Sequence, residues 1–360
     1  MPIRTLCIHC NARSSRKIVY RGQCPTEYLK ERGMCMASKK TEVRAAVVCH
    51  KGCVRSNNED NFFLNGDYMP LQDINKGAII EETFTDSCQV YSVFDGMGGG
   101  DWGERASSIA AQMMQSVYLN MGKADVAAMM KNYAYKANCR IQEDSRSQDV
   151  ELQGTTMATL ILRNGTYYVS NVGDSRVYLL RNGKLKQLSM DHSVVGDMVR
   201  QGQMTLEQAR KSPQNNIITH YLGMRHEDLP RHLVYQTKEK MKPGDRYMIC
   251  SDGLCDMLSE MAIRTGLGRH TSPFHCARDL VMAALEMGGK DNTTCLVVDY
   301  GAFEPLPEEE PKKKTTPQMT KTATPVQEEE PDDEITAKAD SALRETEEKK
   351  KTDEEITSLL

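Results

Sequence analysis

Long apolar runs are missing from this chain. No segment reaches the roughly 18 to 20 uninterrupted apolar residues that a membrane-spanning helix needs, and the first residues lack the apolar core of a signal peptide. Aromatic residues are scarce, with one Trp and 6 Phe in 360 residues. Charge of one sign does not dominate either: the formal net charge is -4, so no nucleic-acid-binding stripe is implied. A second C-x2-C pair is also absent. Cys7 and Cys10 are followed only by single Cys24 and Cys35, which disfavours a zinc site in that region. The 12 Cys are scattered, and Cys88, Cys250 and Cys295 sit inside apolar runs. That usage predicts buried, reduced thiols in a cytoplasmic protein, without a disulfide framework.

What the chain does have is three charge regimes. Residues 1–40 carry 9 Lys/Arg against 2 Asp/Glu, residues 304–360 carry 9 against 17, and the middle is near balance. The composition predicts a domain over 41–303, a basic leader over 1–40 that stands outside the fold, and a disordered tail over 304–360. The tail has no aromatic residue, 6 of the 13 prolines and blocks such as "EEEPKKK". It cannot bury enough apolar surface to offset its ordering entropy. Met34 and Met36, just before the first strand-like run, are alternative start sites to Met1.

Within 41–303, short apolar runs bounded by Gly, Asn and Asp predict strands at 89–94, 157–163, 166–172, 176–181, 245–250 and 293–300, after a first one in "TEVRAAVVC". Asn164-Gly165 and Asn182-Gly183 lie between such runs, a strong hairpin signal. Helical periods predict helices over 104–121, about 125–143 and 274–287. Consecutive hairpins imply antiparallel sheets with helices packed outside, an α+β fold.

Two chemistries compete for "VCHKGCVRSNNED" at 48–60. Cys49 through Arg55 and Ser56 fit a C-x5-R-S loop, in which a low-pKa thiolate attacks phosphate and makes the protein a tyrosine phosphatase. Arg55 followed by Glu59 and Asp60 instead suits phosphate held beside hard cations. Further acids fall next to strand-like runs: Asp95 before "GMGGG", Asp252 before Gly253, and Asp291 before "NTTCLVV". Singly, each is an ordinary turn residue. Together they predict a carboxylate cluster at one rim of a sheet, tolerable only with cations. Oxygen ligands select Mg2+ or Mn2+.

The ordered blocks "RSNNED", "FDGMGGG", "GTTMATL", "NVGDSRVYLLRNG", "DHSVVGDMVRQGQMT", "CSDGLCDML" and "KDNTTCLVV" resemble the PP2C-type metal-dependent Ser/Thr protein phosphatases, in their bacterial branch, over about residues 43–300. The resemblance implies an αββα sandwich around a two-metal centre of Mn2+ or Mg2+ that activates water for attack on phosphoserine or phosphothreonine. It implies that Asp95 bridges both ions, with the Gly96 carbonyl on one and Asp252 and Asp291 on the other. Glu59 and Asp60 would hold waters of the metal shell or complete coordination on the Gly96 side. Arg55 would grip the substrate phosphate, and Asp174 with Asp252 and Asp256 would match a third, weaker metal site. Phosphorylated proteins would be the substrates of a monomer that opposes a cognate Ser/Thr kinase.

Departures from the family pattern are few. Met97 stands where eukaryotic members carry a His assigned to protonate the leaving alkoxide, although bacterial members share the Met. Gly100 replaces a His, and His220 in "THYLG" replaces an Arg. Residues 191–223 resemble a mobile flap beside the site. A catalytically weak phosphoprotein-binding regulator on the same fold is the alternative to an active phosphatase.

Overall fold

The structure, a computed structural model, describes residues 41–98, 102–122 and 125–306; the leader, Gly100, and everything after residue 306 lie outside the described residues. Among the described residues there are twelve strands: β1 (Val43–His50), β2 (Asp60–Leu64), β3 (Ala78–Phe84), β4 (Cys88–Gly98), β5 (Gln153–Thr155), β6 (Met157–Arg163), β7 (Thr166–Val172), β8 (Arg176–Arg181), β9 (Lys184–Gln187), β10 (Tyr235–Lys240), β11 (Asp245–Cys250) and β12 (Thr293–Tyr300). The helices are α1 (Trp102–Asn120), α2 (Val126–Ser147), α3 (Val194–Arg200), α4 (Leu206–Lys211), α5 (Asp252–Cys255), α6 (Glu260–Arg269) and α7 (Pro273–Glu286). No described helix is long and apolar enough to cross a membrane.

The strands form two antiparallel sheets, in the orders β3-β1-β12-β11-β8-β9 and β10-β7-β6-β4-β2, with β5 paired to β4. Alternation decides how they pack, because successive side chains of a strand point to opposite faces. Val43, Ala45 and Val47 of β1 join Phe62, Tyr91, Leu160, Tyr247 and Leu296 in one core between the sheets. On the outer face of the second sheet, Phe63, Val90 and Phe94 pack under Ala106, Ala110, Met114 and Met130 of α1 and α2. On the outer face of the first, Met248, Cys250 and Val297 pack under Ile263, Leu267 and Leu280 of α6 and α7. The result is the antiparallel α+β arrangement that the hairpins implied, stacked in the four layers that the resemblance implied.

Both Asn-Gly turns hold as read. Asn164 and Gly165 have φ of 49° and 73°, and Asn182 and Gly183 have 50° and 71°. Two positive values in succession give a hairpin turn matched to strand twist. Cys250 and Cys295 are buried free thiols as read, whereas Cys88, at the start of β4, is only partly buried because it stands at the end of the strand. At the far end, Phe303 is buried over the Arg246 guanidinium at 3.6 Å, and the Leu306 N–H donates to the Gly268 carbonyl at 2.8 Å. Residues 304–306 therefore run along the domain, past the boundary read at residue 303.

Candidate metal centre

Asp60 opens β2, and the ladder with β4 sets it opposite Asp95. Its side chain is fully buried. Oδ2 accepts hydrogen bonds from the Ser251 and Thr294 hydroxyls, each at 2.7 Å. Both donors belong to the other sheet, Ser251 just beyond β11 and Thr294 within β12, so this carboxylate ties the two sheets at one end of the sandwich. Its Oδ1 is buried without a hydrogen-bond partner, a cost on the order of 1–3 kcal/mol or more for a polar group.

Asp95 was expected at a strand end, but β4 continues to Gly98 because residues 96–98 pair with β5. Two threonines hold its backbone. The Asp95 N–H donates to Thr156 Oγ1 at 3.0 Å, and its carbonyl accepts from the Thr156 N–H at 2.8 Å and Thr155 Oγ1 at 2.9 Å. Gly96 is required for space: a Cβ there would stand 2.2 Å from the Gly103 carbonyl oxygen and 2.6 Å from that of Glu59. Only glycine allows β4, α1 and Glu59 to approach this closely.

Asp252 is the first residue of α5, behind Ser251 at the cap, and its charge acts on Asp95. Asp291, in the turn before β12, accepts from the Asn292 N–H at 2.8 Å and from Arg55 Nη2 at 2.7 Å. Arg55 is 50% exposed along its side chain. Glu59 lies beside Gly96, its carbonyl accepting the Gly96 N–H at 3.1 Å. Asp174 is buried just after Gly173, and Asp256 follows α5 on the surface, with Asn215 Nδ2 3.5 Å from its Oδ2.

Electrostatics joins these acids into one group. Burial, with the charges of Asp252 and Asp291 adding to it, pushes Asp60 up to about 7 against the opposing hydrogen bonds of Ser251 and Thr294. Asp252 is likewise pushed up to about 7, by burial first and then by Asp256 and Asp291. Asp95 rises well above the carboxylate range through burial and the charges of Asp252, Asp60, Asp291 and Asp174. Asp174 does so through burial, Asp252 and Asp191. Among the described residues, no three His, Cys, Asp or Glu side chains converge as a ready-made chelate. The carboxylates instead raise one another's pKa across the site. An orphaned buried oxygen, mutual repulsion among acids and an all-oxygen donor set fit hard divalent cations.

Cys49 does not fit a nucleophile. It is buried in β1, lies 3.1 Å from Thr294 Oγ1, whose proton goes to Asp60, accepts from Asn58 Nδ2 at 3.3 Å, and is pushed up to about 12 by burial and the Asp60 charge. A reactive thiolate needs an electropositive, accessible setting. The loop after it carries Arg55 to Asp291 and not around the sulfur.

Beside the acids, a cavity of about 310 Å³ is lined by Asp174, Asp252 and Asp256 and, toward α3, by Arg176, Asp191 and Arg200. The segment read as a flap holds α3 and α4, and its ends are tied together. The Thr219 N–H donates to the His192 carbonyl at 2.8 Å and the Val194 N–H to that of Ile217 at 2.9 Å. His220 stacks on His192 with ring centroids 4.4 Å apart. Sequence reasoning did not single out Ser251, Thr294, Thr156 or Asn292. The available signal was adjacency, since hydroxyls and an amide flank the acids in "CSDG" and "DNTT".

A protein phosphatase 2C family profile matches residues 66–197. The serine/threonine protein phosphatase PstP of Mycobacterium tuberculosis is 30% identical over 282 residues, covering 75% of this chain and 48% of that relative; the chain thus spans about half the relative's length. Protein phosphatase PhpP of Streptococcus pneumoniae is 31% identical over 214 residues, covering 57% of this chain and 82% of that protein. Among solved structures, the catalytic domain of PstP in complex with 2 manganese ions superposes with a TM-score of 0.60 at 27% identity, covering 72% of this chain and 99% of the other. On these grounds the chain belongs to the protein phosphatase 2C family.

Proposed function

We propose that this chain is a metal-dependent protein phosphatase that removes phosphate from phosphoserine and phosphothreonine in proteins and opposes a Ser/Thr protein kinase. The observation that carries the reading is the buried Asp60 carboxylate, its Oδ1 unpartnered within a group of mutually repelling acids. Removing cations from such a group is costly, because unpaired buried charge is poorly tolerated. Asp60, Asp95, Asp252, Asp291 and the Gly96 carbonyl are the groups that would hold two Mn2+ or Mg2+ ions, with Glu59 beside them. Asp174, Asp252 and Asp256 would hold a third. When bound, such ions acidify water for in-line attack on phosphorus and offset charge on the phosphate oxygens.

The chain's own residues supply orientation. Arg55, on an exposed loop with one guanidinium nitrogen on Asp291, is placed to bind phosphoryl oxygens through charge-assisted hydrogen bonds. Ser251 and Thr294 hold the Asp60 side chain, and Thr155 and Thr156 hold the Asp95 backbone. The names of the relatives and the two manganese ions of the PstP structure support this assignment. The test is hydrolysis of a phosphothreonine peptide with Mn2+, with Mg2+ and with chelator. Turnover is expected only with metal and is expected to survive Cys49→Ser. Peptide binding without turnover under every metal condition would identify a regulator instead. Metal-independent turnover lost in Cys49→Ser would restore the thiolate route.

A further inference from the structure

Asn292 sits between Asp291 and β12 and is 4% exposed. Its side chain reaches three backbone positions in a different part of the chain. Nδ2 donates to the Lys51 carbonyl at 2.8 Å and to the Asn57 carbonyl at 2.7 Å, and Oδ1 accepts the Glu59 N–H at 2.8 Å. The amide can be oriented only one way, because two partners are carbonyls and the third is an N–H. Lys51 and Asn57 bracket the loop that carries Arg55, so one side chain clasps both ends of that loop. Its own backbone N–H holds Asp291 Oδ1, and Glu59 in turn receives the Gly96 N–H.

The loop has a second seat on the same turn. Gly52, at φ 86°, lies where a Cβ would stand 2.3 Å from the Asp291 carbonyl oxygen, and the Cys53 N–H donates to the Gly289 carbonyl at 2.8 Å. Arg55 is half exposed along its side chain and its guanidinium reaches Asp291 at 2.7 Å. Where that guanidinium starts from is set by the backbone of the loop, which is seated on the same turn as Asp291. We infer that Asn292 is a positioning residue that sets the distance between the phosphate-gripping Arg55 and the carboxylates Asp291, Asp95 and Asp60. This rests on the phosphatase reading, and acts through Arg55 without touching substrate.

The experiment uses the full chain and two variants. Asn292→Ser shortens the side chain, and Asn292→Asp keeps the acceptor for Glu59 but turns an oxygen toward two carbonyls. With Mn2+ saturating, KM for a phosphothreonine peptide and the inhibition constant of inorganic phosphate are expected to rise between about tenfold and about a hundredfold, the range of a displaced binding group. In a cycle with Arg55→Ala, the double variant Arg55→Ala/Asn292→Ser is expected to be no weaker than Arg55→Ala alone, since both changes remove one function. Additive losses would overturn the proposal. Amide exchange needs no turnover and separates this claim from the enzymatic one: residues 51–59 in Asn292→Ser are expected to exchange at least about tenfold faster while β1 and β12 stay protected. Unchanged exchange there, or loss of protection throughout the sandwich, would show that Asn292 does not position the loop.

Discussion

At the scale of single residues, charge repulsion makes the sharpest expectations. Asp95 feels the charges of Asp252, Asp60, Asp291 and Asp174, so Asp95→Asn removes the group that the others share. Turnover is expected to fall by about a thousandfold or more, as when a group central to charge stabilisation is lost, with Mn2+ affinity falling alongside it in calorimetric titration. Asp174→Asn is expected to leave two ions bound; equal losses in both variants would remove Asp95 from its central place. Acidity supplies a second test. Asp60 and Asp252, pushed up to about 7 without metal, hold protons in the fold that the unfolded chain gives up at about 3.9. Their stabilisation is therefore complete below about pH 4 and is lost as pH rises through about 7. Asp144, held below the ordinary range by Arg105, acts outside this window. Metal-free protein is expected to melt higher at about pH 6 than at about pH 8, and saturating Mn2+ to abolish the difference by replacing those protons. His50, His192 and His220, all lowered chiefly by burial, pull the other way as pH falls toward about 6, so the parent is compared with Asp60→Asn/Asp252→Asn. The part of the pH dependence due to the acids is expected to vanish in that variant, and an unchanged dependence would refute the repulsive cluster.

At the scale of elements, the tied ends of residues 191–223 matter most. Backbone pairs at His192–Thr219 and Val194–Ile217 close the segment below α3 and α4, so what lies above the tie can be exchanged without opening the sheets. Replacing residues 196–215 by a short Gly/Ser linker is expected to leave hydrolysis of a small aryl phosphate within about threefold and to raise KM for a phosphopeptide about tenfold, because contacts remote from phosphorus act on the larger substrate. Parallel loss on both substrates would give the segment a catalytic role. The same scale explains which elements were legible. β6, β7, β8, β11 and β12 carry apolar runs or Asn-Gly turns and match their expected bounds. β3, β9 and β10 lie at sheet edges, where "AIIEETF", "KLKQ" and "YQTKEK" mix charge into the strand. Edge strands are kept polar against further pairing, and that polarity hides them from a reading based on apolar runs.

At the scale of the whole molecule, the sandwich is completed by its last described residues. Phe303 covers the buried Arg246, whose guanidinium also holds Asp299 at 2.6 Å, and Leu306 packs against Gly268 and Gly183. A chain ended after Leu306 is expected to melt about 6 to 20 °C above one ended after Ala302, since loss of a buried aromatic costs about 3–5 kcal/mol and each kcal/mol moves a domain of this size by about 2–4 °C. Equal melting points would show that the segment contributes nothing to the fold.

Residue types and local order determined a good deal without tertiary information. Period-two and period-3.6 patterns respond to burial on one face, and Asn-Gly responds to a backbone requirement at the same positions, so strands, helices and hairpins are written locally. The choice between thiolate and cation in "VCHKGCVRSNNED" could be weighed from the same letters, because Glu59 and Asp60 repel an anion wherever they sit. Only the tertiary structure decided how those acids come together. Asp60 meets Ser251 and Thr294 across two sheets and sequence separations of 191 and 234 residues, and Asn292 clasps the Arg55 loop across 241. Such contacts are set by how the sheets stack, and hydrogen-bond distances between residues so far apart leave no periodic trace in the chain.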